Sequence, residues 1–291
     1  MELGKLGIWS PVDGLTGPQL ADFARQVERL GYAALWYPES SRGQESFATG
    51  AFLLSRTETL VVATGIANIY ARDPVTMKQG QHTLAKLFGG RFLLGLGVSH
   101  AHSVEGVRGH RYEKPVATMR AYLAAMEKAI EVAPRLEEQP PVVLAALGPN
   151  MTALGGRQTA GVHPYNITPE HTAAARKIVG PGPWVCAEQK VLLMADPKQA
   201  RAVARENLAY YMAAPNYRNN WLRLGFSEDE LADGGSDRFL DAMVAWGDVK
   251  AIRQRIQEHF DAGASHVCIQ PLHPGGGRGP DLAALEALAP Q

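Results

Sequence analysis

Short apolar runs alternate with longer amphipathic segments along nearly the whole chain. Apolar runs bounded by turn residues predict strands over residues 5–10, 33–37, 60–66, 91–98, 142–146, 161–165, 185–194 and 266–271. Helices fall between them. Leu20, Phe23, Ala24, Val27 and Leu30 recur at helical spacing; Thr16 is placed to cap that helix, Pro18 suits its first turn, and Gly31 ends it. Further helices are predicted over residues 47–55, 73–87, 115–132, 197–211 and 248–262, with others starting near Pro149 and at Thr168. Asp73-Pro74 opens the third. Strict alternation of strand and helix implies a parallel sheet. Eight such units in 291 residues favour closure into a (β/α)8 TIM barrel, one domain spanning residues 1–291. The rhythm breaks over residues 212–247, with Trp221, Gly234-Gly235 and Trp246. This stretch is an insertion before the eighth strand, placed either over the barrel mouth or as a peripheral helical excursion.

In a barrel of this kind chemistry belongs to the residues that follow each strand. The richest example is Arg91-Phe-Leu-Leu-Gly-Leu-Gly-Val-Ser-His100. Its apolar run suits a strand covered on both faces, and Gly95 and Gly97 admit close approach to the backbone. Val98, Ser99 and His100 then lie at the strand end. Other ends carry Ser10; Glu39, Ser40 and Ser41; Thr64-Gly-Ile-Ala-Asn68, Tyr70 and Arg72; Leu147-Gly-Pro149; His163-Pro-Tyr165; and Gln270 with His273.

Composition narrows the chemistry. Apolar content of 46% with 20% charged residues describes a globular chain, and a formal net charge of zero gives no footprint for nucleic acid. No basic segment precedes an apolar run at the N-terminus, and no apolar run approaches membrane-spanning length, so the expectation is a cytoplasmic protein without membrane contact. Cys186 and Cys268 sit in strand-like runs as buried reduced thiols. The strand ends lack paired carboxylates of a glycosidase, a Gly-x-Ser-x-Gly elbow and a Walker loop. His100, His102, Glu105 and His110 match no common zinc spacing, so no metal is expected. Gly95-x-Gly97 lacks the third glycine of a dinucleotide fingerprint.

Several segments together resemble the luciferase-like monooxygenase superfamily, and within it the oxidoreductases that use the deazaflavin coenzyme F420. They are Leu30-Gly-Tyr-Ala-Ala-Leu-Trp-Tyr-Pro-Glu39, Ala63-Thr-Gly-Ile-Ala-Asn-Ile-Tyr-Ala-Arg-Asp-Pro74, Gly90-Arg-Phe-Leu-Leu-Gly-Leu-Gly97, Leu144-Ala-Ala-Leu-Gly-Pro149, Ala160-Gly-Val-His-Pro-Tyr-Asn-Ile-Thr-Pro-Glu170 and Gly263-Ala-Ser-His-Val-Cys-Ile-Gln270. The resemblance implies a barrel that dimerises, with a small-molecule substrate and the cofactor ring in the mouth. It places the ring against a bulge with a non-prolyl cis peptide at Gly65–Ile66. Asn68, Gly97, Val98 and Ser99 would line the cofactor, and Leu147, Gly148 and Tyr165 would lie near its phosphate. Glu39 and Ser40 are catalytic candidates by the same resemblance: they match a polar pair whose second member is a catalytic histidine in some deazaflavin enzymes. His100 stands where some relatives have a proton-donating glutamate, and serves either as acid–base or as a hydrogen-bonding partner of the cofactor or loop. The resemblance leaves two alternatives: an FMN-dependent monooxygenase on the same barrel, and a non-catalytic flavin-binding protein.

Overall fold

The computed structural model describes residues 1–130, 136–277 and 279–290. The first half runs β1 (Leu6–Trp9), α1 (Gly17–Arg29), β2 (Ala34–Tyr37), α2 (Ser46–Ser55), β3 (Val61–Thr64), β4 (Ala67–Asn68), α3 (Pro74–Leu87), β5 (Phe92–Gly97) and α4 (Pro115–Lys128). The second runs β6 (Val142–Ala145), α5 (Pro149–Gln158), β7 (Gly161–His163), α6 (Pro169–Val179), β8 (Trp184–Leu193), α7 (Pro197–Met212), α8 (Pro215–Arg223), α9 (Asp237–Met243), β9 (Val244–Gly247), α10 (Val249–Asp261), β10 (His266–Pro271) and α11 (Leu282–Ala287).

All strand pairs are parallel, in the order β10-β1-β2-β3-β5-β6-β7-β8. Val267 of β10 pairs with Leu6 on one side and Ala187 on the other, which closes the ring. The chain is an eight-stranded parallel barrel wrapped by helices.

Alternation along each strand builds two cores. Ala34, Trp36, Val61, Ala63, Leu93, Val143, Cys186 and Cys268 pack in one cluster inside the barrel, and both thiols are free and buried. Their neighbours Leu35, Tyr37, Val62 and Leu94 pack outward in the cluster shared with the helices. Local caps behave as their residues dictate. Asp73 Oδ1 accepts the N–H groups of Val75 and Thr76 at 2.9 and 3.1 Å, and Thr16 N–H donates to Gln19 Oε1 at 3.0 Å.

The structure departs from the sequence expectation in five places. The third strand stops at Thr64 and resumes as β4, which pairs with the upper end of β5. Helix α4 ends at Lys128, and residues 131–132 of its expected span lie outside the described residues. The end of the 212–247 stretch is strand β9 rather than helix, paired with Lys190–Leu193. There β8 has outrun the short β7, which pairs only with Trp184 and Val185, and β9 covers the edge left open. A π-helical turn, His102–Val107, follows β5, and α11 follows β10.

Candidate active site

The bulge between β3 and β4 is the organising feature of the mouth. Thr64 Oγ1 donates to the Gly95 carbonyl at 2.8 Å and accepts the Gly95 N–H at 2.9 Å. The Gly65–Ile66 peptide is cis. The Ile66 side chain lies over Gly97, where an added Cβ would meet Ile66 Cγ1 at 2.5 Å and Ala145 Cβ at 3.3 Å. The missing side chain at Gly97 therefore makes room for the bulge itself.

Glu39 holds the far side of the bulge. Its Oε2 accepts the Asn68 N–H at 2.7 Å, and its two oxygens take both arms of the Arg72 guanidinium at 3.0 and 2.8 Å. The Glu39 side chain is only 4% exposed. Arg72 also pairs with Glu45 and stacks over Phe47 at 4.6 Å. Asn68 Oδ1 in turn accepts the Tyr70 N–H at 2.9 Å. Both Glu39 oxygens are thus committed, a geometry that fixes backbone rather than one that exchanges protons. Ser40 is exposed and donates to Asp13 Oδ2 at 2.6 Å.

After β5, Ser99 turns the chain with φ of 56°, and its carbonyl accepts the Tyr112 hydroxyl at 3.3 Å. His100 follows, half-buried. Its Nδ1 lies 3.2 Å from Asn216 Oδ1 on α8, and its ring is 5.6 Å from that of Tyr217. Burial pushes its pKa below the ordinary histidine value, with the Asn216 bond opposing. The 212–247 stretch thus reaches His100.

Opposite the bulge lies a buried polar cluster. Lys190 Nζ donates to Glu188 Oε1 at 3.1 Å and to Gln270 Oε1 at 3.2 Å, and sits 4.0 Å from the centre of the Tyr165 ring. Glu188 Oε2 accepts the Asn166 N–H at 3.0 Å. The Tyr165 hydroxyl donates to Gln270 Oε1 at 2.8 Å and lies 2.9 Å from that of Tyr211. Burial lowers the Lys190 pKa while Glu188 opposes it.

Beneath the bulge, His163 Nδ1 is 2.9 Å from the Cys186 carbonyl and its ring stacks on Trp36 at 4.5 Å. A carbonyl only accepts, so Nδ1 carries the proton. Burial pushes the pKa down to about 4, leaving Nε2 a lone pair. Among the described residues, His163 Nε2 and Trp9 Nε1 are both buried without a partner, and both flank Gly65.

The structure gathers Gly65, Ile66, Asn68, Gly97, Val98, Ser99 and His100 along β3–β5, with Glu39 braced behind them. Tyr165 faces them from the β7 side; Leu147 and Gly148 lie at the start of α5. Ser40 instead bonds Asp13 in the loop after β1. Glu188, Lys190, Tyr211, Asn216 and Tyr217 went unread in the sequence. Two charged residues in the apolar run Val185–Met194 were an available signal for the first two; nothing local marks the others.

The sequence matches the luciferase-like monooxygenase family over residues 6–266. A Mycobacterium tuberculosis (strain ATCC 25618 / H37Rv) protein, provisionally named a coenzyme F420-dependent oxidoreductase, is 24% identical, with 92% of this chain and 94% of that protein aligned. An F420-dependent secondary alcohol dehydrogenase holding an F420–acetone adduct superposes with a TM-score of 0.76 at 14% identity, over 99% of this chain and 97% of that one. The FMN-bound oxygenating constituent of 3,6-diketocamphane monooxygenase from Pseudomonas putida gives 0.73 at 14% identity, over 99% and 97%. At such identities the solved structures establish the barrel alone. With the family match spanning most of the sequence, the chain belongs to the luciferase-like monooxygenase family of enzymes.

Proposed function

We propose that this protein is an oxidoreductase that transfers a hydride between the deazaflavin coenzyme F420 and a small organic substrate. The observation that carries the choice of cofactor is the near full-length relative named for coenzyme F420. Two features of the mouth fit such a group. Trp9 Nε1 and His163 Nε2 are a buried donor and acceptor without partners among the described residues, beside the bulge, as expected of atoms that meet a polar ring edge. Gly148 caps α5 with no side-chain bond, Pro149 follows, and the space where a Cβ would stand is open. The next free N–H groups of that helix suit a phosphate.

In this reading Ile66 supports the ring, and Asn68, Gly97, Val98 and Ser99 border it. Leu147, Gly148 and Tyr165 border the phosphate, and His100 moves the proton that accompanies hydride transfer. The bound deazaflavin would supply the hydride chemistry. Glu39, read first as catalytic, is assigned a bracing role through Arg72 and Asn68. Ser40 has no catalytic part. We extend the reading to a cytoplasmic homodimer, which light scattering on the purified protein tests. Among the described residues no helix is long and apolar enough to cross a membrane.

The FMN-bound structural neighbour favours a second reading, oxygen activation by a reduced flavin. An oxygen electrode separates the two. Reduced F420 with enzyme and air should show no uptake above background; substrate-dependent uptake with reduced FMN would establish the monooxygenase instead.

A further inference from the structure

His100 is addressed by a helix far away in sequence. Asn216 Oδ1 lies 3.2 Å from His100 Nδ1 across 116 residues of chain. An amide oxygen only accepts, so Nδ1 carries the proton and Nε2 of the neutral ring is left as a lone pair. Tyr217, the next residue on α8, places its ring 5.6 Å from His100, and among the described residues its hydroxyl has no hydrogen-bond partner. Two carboxylates near the mouth are already paired: Glu39 with Arg72, and Glu188 with Lys190. The Tyr165, Tyr211 and Tyr217 rings, 5.1–6.3 Å apart, form the apolar wall beside His100.

We propose that Asn216 is a positioning residue that fixes His100 as the Nδ1–H tautomer, so that Nε2 accepts the hydroxyl proton of an uncharged alcohol while the Tyr217 hydroxyl donates to the same oxygen. The substrate class rests on the F420 reading; the tautomer does not. In the step, the substrate O–H bond breaks and its proton goes to His100 Nε2. The carbon's C–H bond would break with both electrons leaving as hydride, which a bound deazaflavin would accept, and the C=O bond would form. The alcohol would be oxidised by two electrons, taken up by that cofactor. Tyr217 of α8 faces His100, and Tyr112 is bonded to the carbonyl of the neighbouring Ser99; neither phenol is charged at neutral pH. Burial holds the imidazole below its usual pKa, which suits an acceptor at neutral pH.

The test begins on the cofactor-free protein. Long-range 1H–15N NMR of 15N-histidine-labelled protein should show His100 as the Nδ1–H tautomer. Asn216→Asp keeps the acceptor and adds a charge, so the His100 midpoint should rise by roughly one pH unit or more. Asn216→Leu should remove the tautomer preference. With F420 and secondary alcohols, Asn216→Leu should lower kcat at least about tenfold with the F420 Kd unchanged. Asn216→Asp should restore turnover and move the acidic limb of the kcat profile up with the NMR midpoint. An Nε2–H tautomer in the wild type, an unchanged tautomer in Asn216→Leu, or a limb that stays put while the midpoint moves would overturn the proposal. Wild-type protein that shows the expected tautomers but does not bind F420 would refute the cofactor reading and the alcohol step, leaving the positioning role supported.

Discussion

Glu188→Gln removes the counter-charge of a lysine that is 1% exposed, from a carboxylate that is itself 1% exposed. Lys190 would keep Gln270 Oε1 and the Tyr165 face, yet no anion. Breaking one partner of a buried pair typically costs about 3–5 kcal/mol, because the remaining charge is stranded. The amide also loses acceptor strength toward the Asn166 N–H, 3.0 Å away, so the upper half of that range is expected. For a chain of this size each kcal/mol lowers Tm by roughly 2–4 °C, giving a drop of about 8–20 °C at pH 7. Lys190→Met in the Glu188→Gln background removes the stranded charge and fills similar volume, so it should recover more than half of the loss. Thermal unfolding followed by circular dichroism, with urea titrations to place each variant on a free-energy scale, gives the full double-mutant cycle. A Glu188→Gln protein within about 2 °C of wild type, or a double variant less stable than the single one, would refute the view of this pair as a mutually dependent buried charge pair.

Acid should destabilise the barrel through its buried histidines. His163, His171 and His266 are pushed down to about 4 by burial, against an ordinary value of 6.5. The unfolded chain takes up protons between those values and the folded chain does not, so their contribution is intact above about 6.5 and is lost as pH falls to about 4; Tm measured from pH 8 to 4.5 should decline across that window, and a flat profile would contradict it. Gly148→Asp should cap α5 and leave Tm equal or slightly higher, while its charge and bulk in the open space weaken F420 affinity at least about tenfold in a fluorescence titration. Glu39→Gln should lower stability by roughly 1–3 kcal/mol through the lost Arg72 and Asn68 contacts, yet leave the shape of the pH–rate profile unchanged; loss of a limb would restore Glu39 as an acid–base group.

Much of the barrel was legible because its signals are local. Strand runs and the Asp73 cap depend on neighbours in sequence, and each formed where its residues indicate, whereas the Gly65–Ile66 bulge was expected from the family resemblance and is held by Gly95 of β5 and by Glu39 after β2. Gly97 was visible as a place of close approach, but its partner, the Ile66 side chain, lies on another strand. Glu39 and Ser40 read as a pair by adjacency. Consecutive residues leaving a strand turn to different sides, and one met Arg72 while the other met Asp13. Strand β9 forms to cover an edge of β8 that exists only after β7 ends, a condition no local pattern encodes. The Asn216–His100 contact is the extreme case, since α8 has to fold over the mouth before the two side chains meet.

Titration of the purified protein with coenzyme F420 and, separately, with FMN, followed by cofactor fluorescence, decides which cofactor this barrel holds. Saturable one-site binding of F420 and much weaker binding of FMN are expected, with F420 affinity reduced by Gly148→Asp. Tight FMN binding with no saturable response to F420 would contradict the F420 reading.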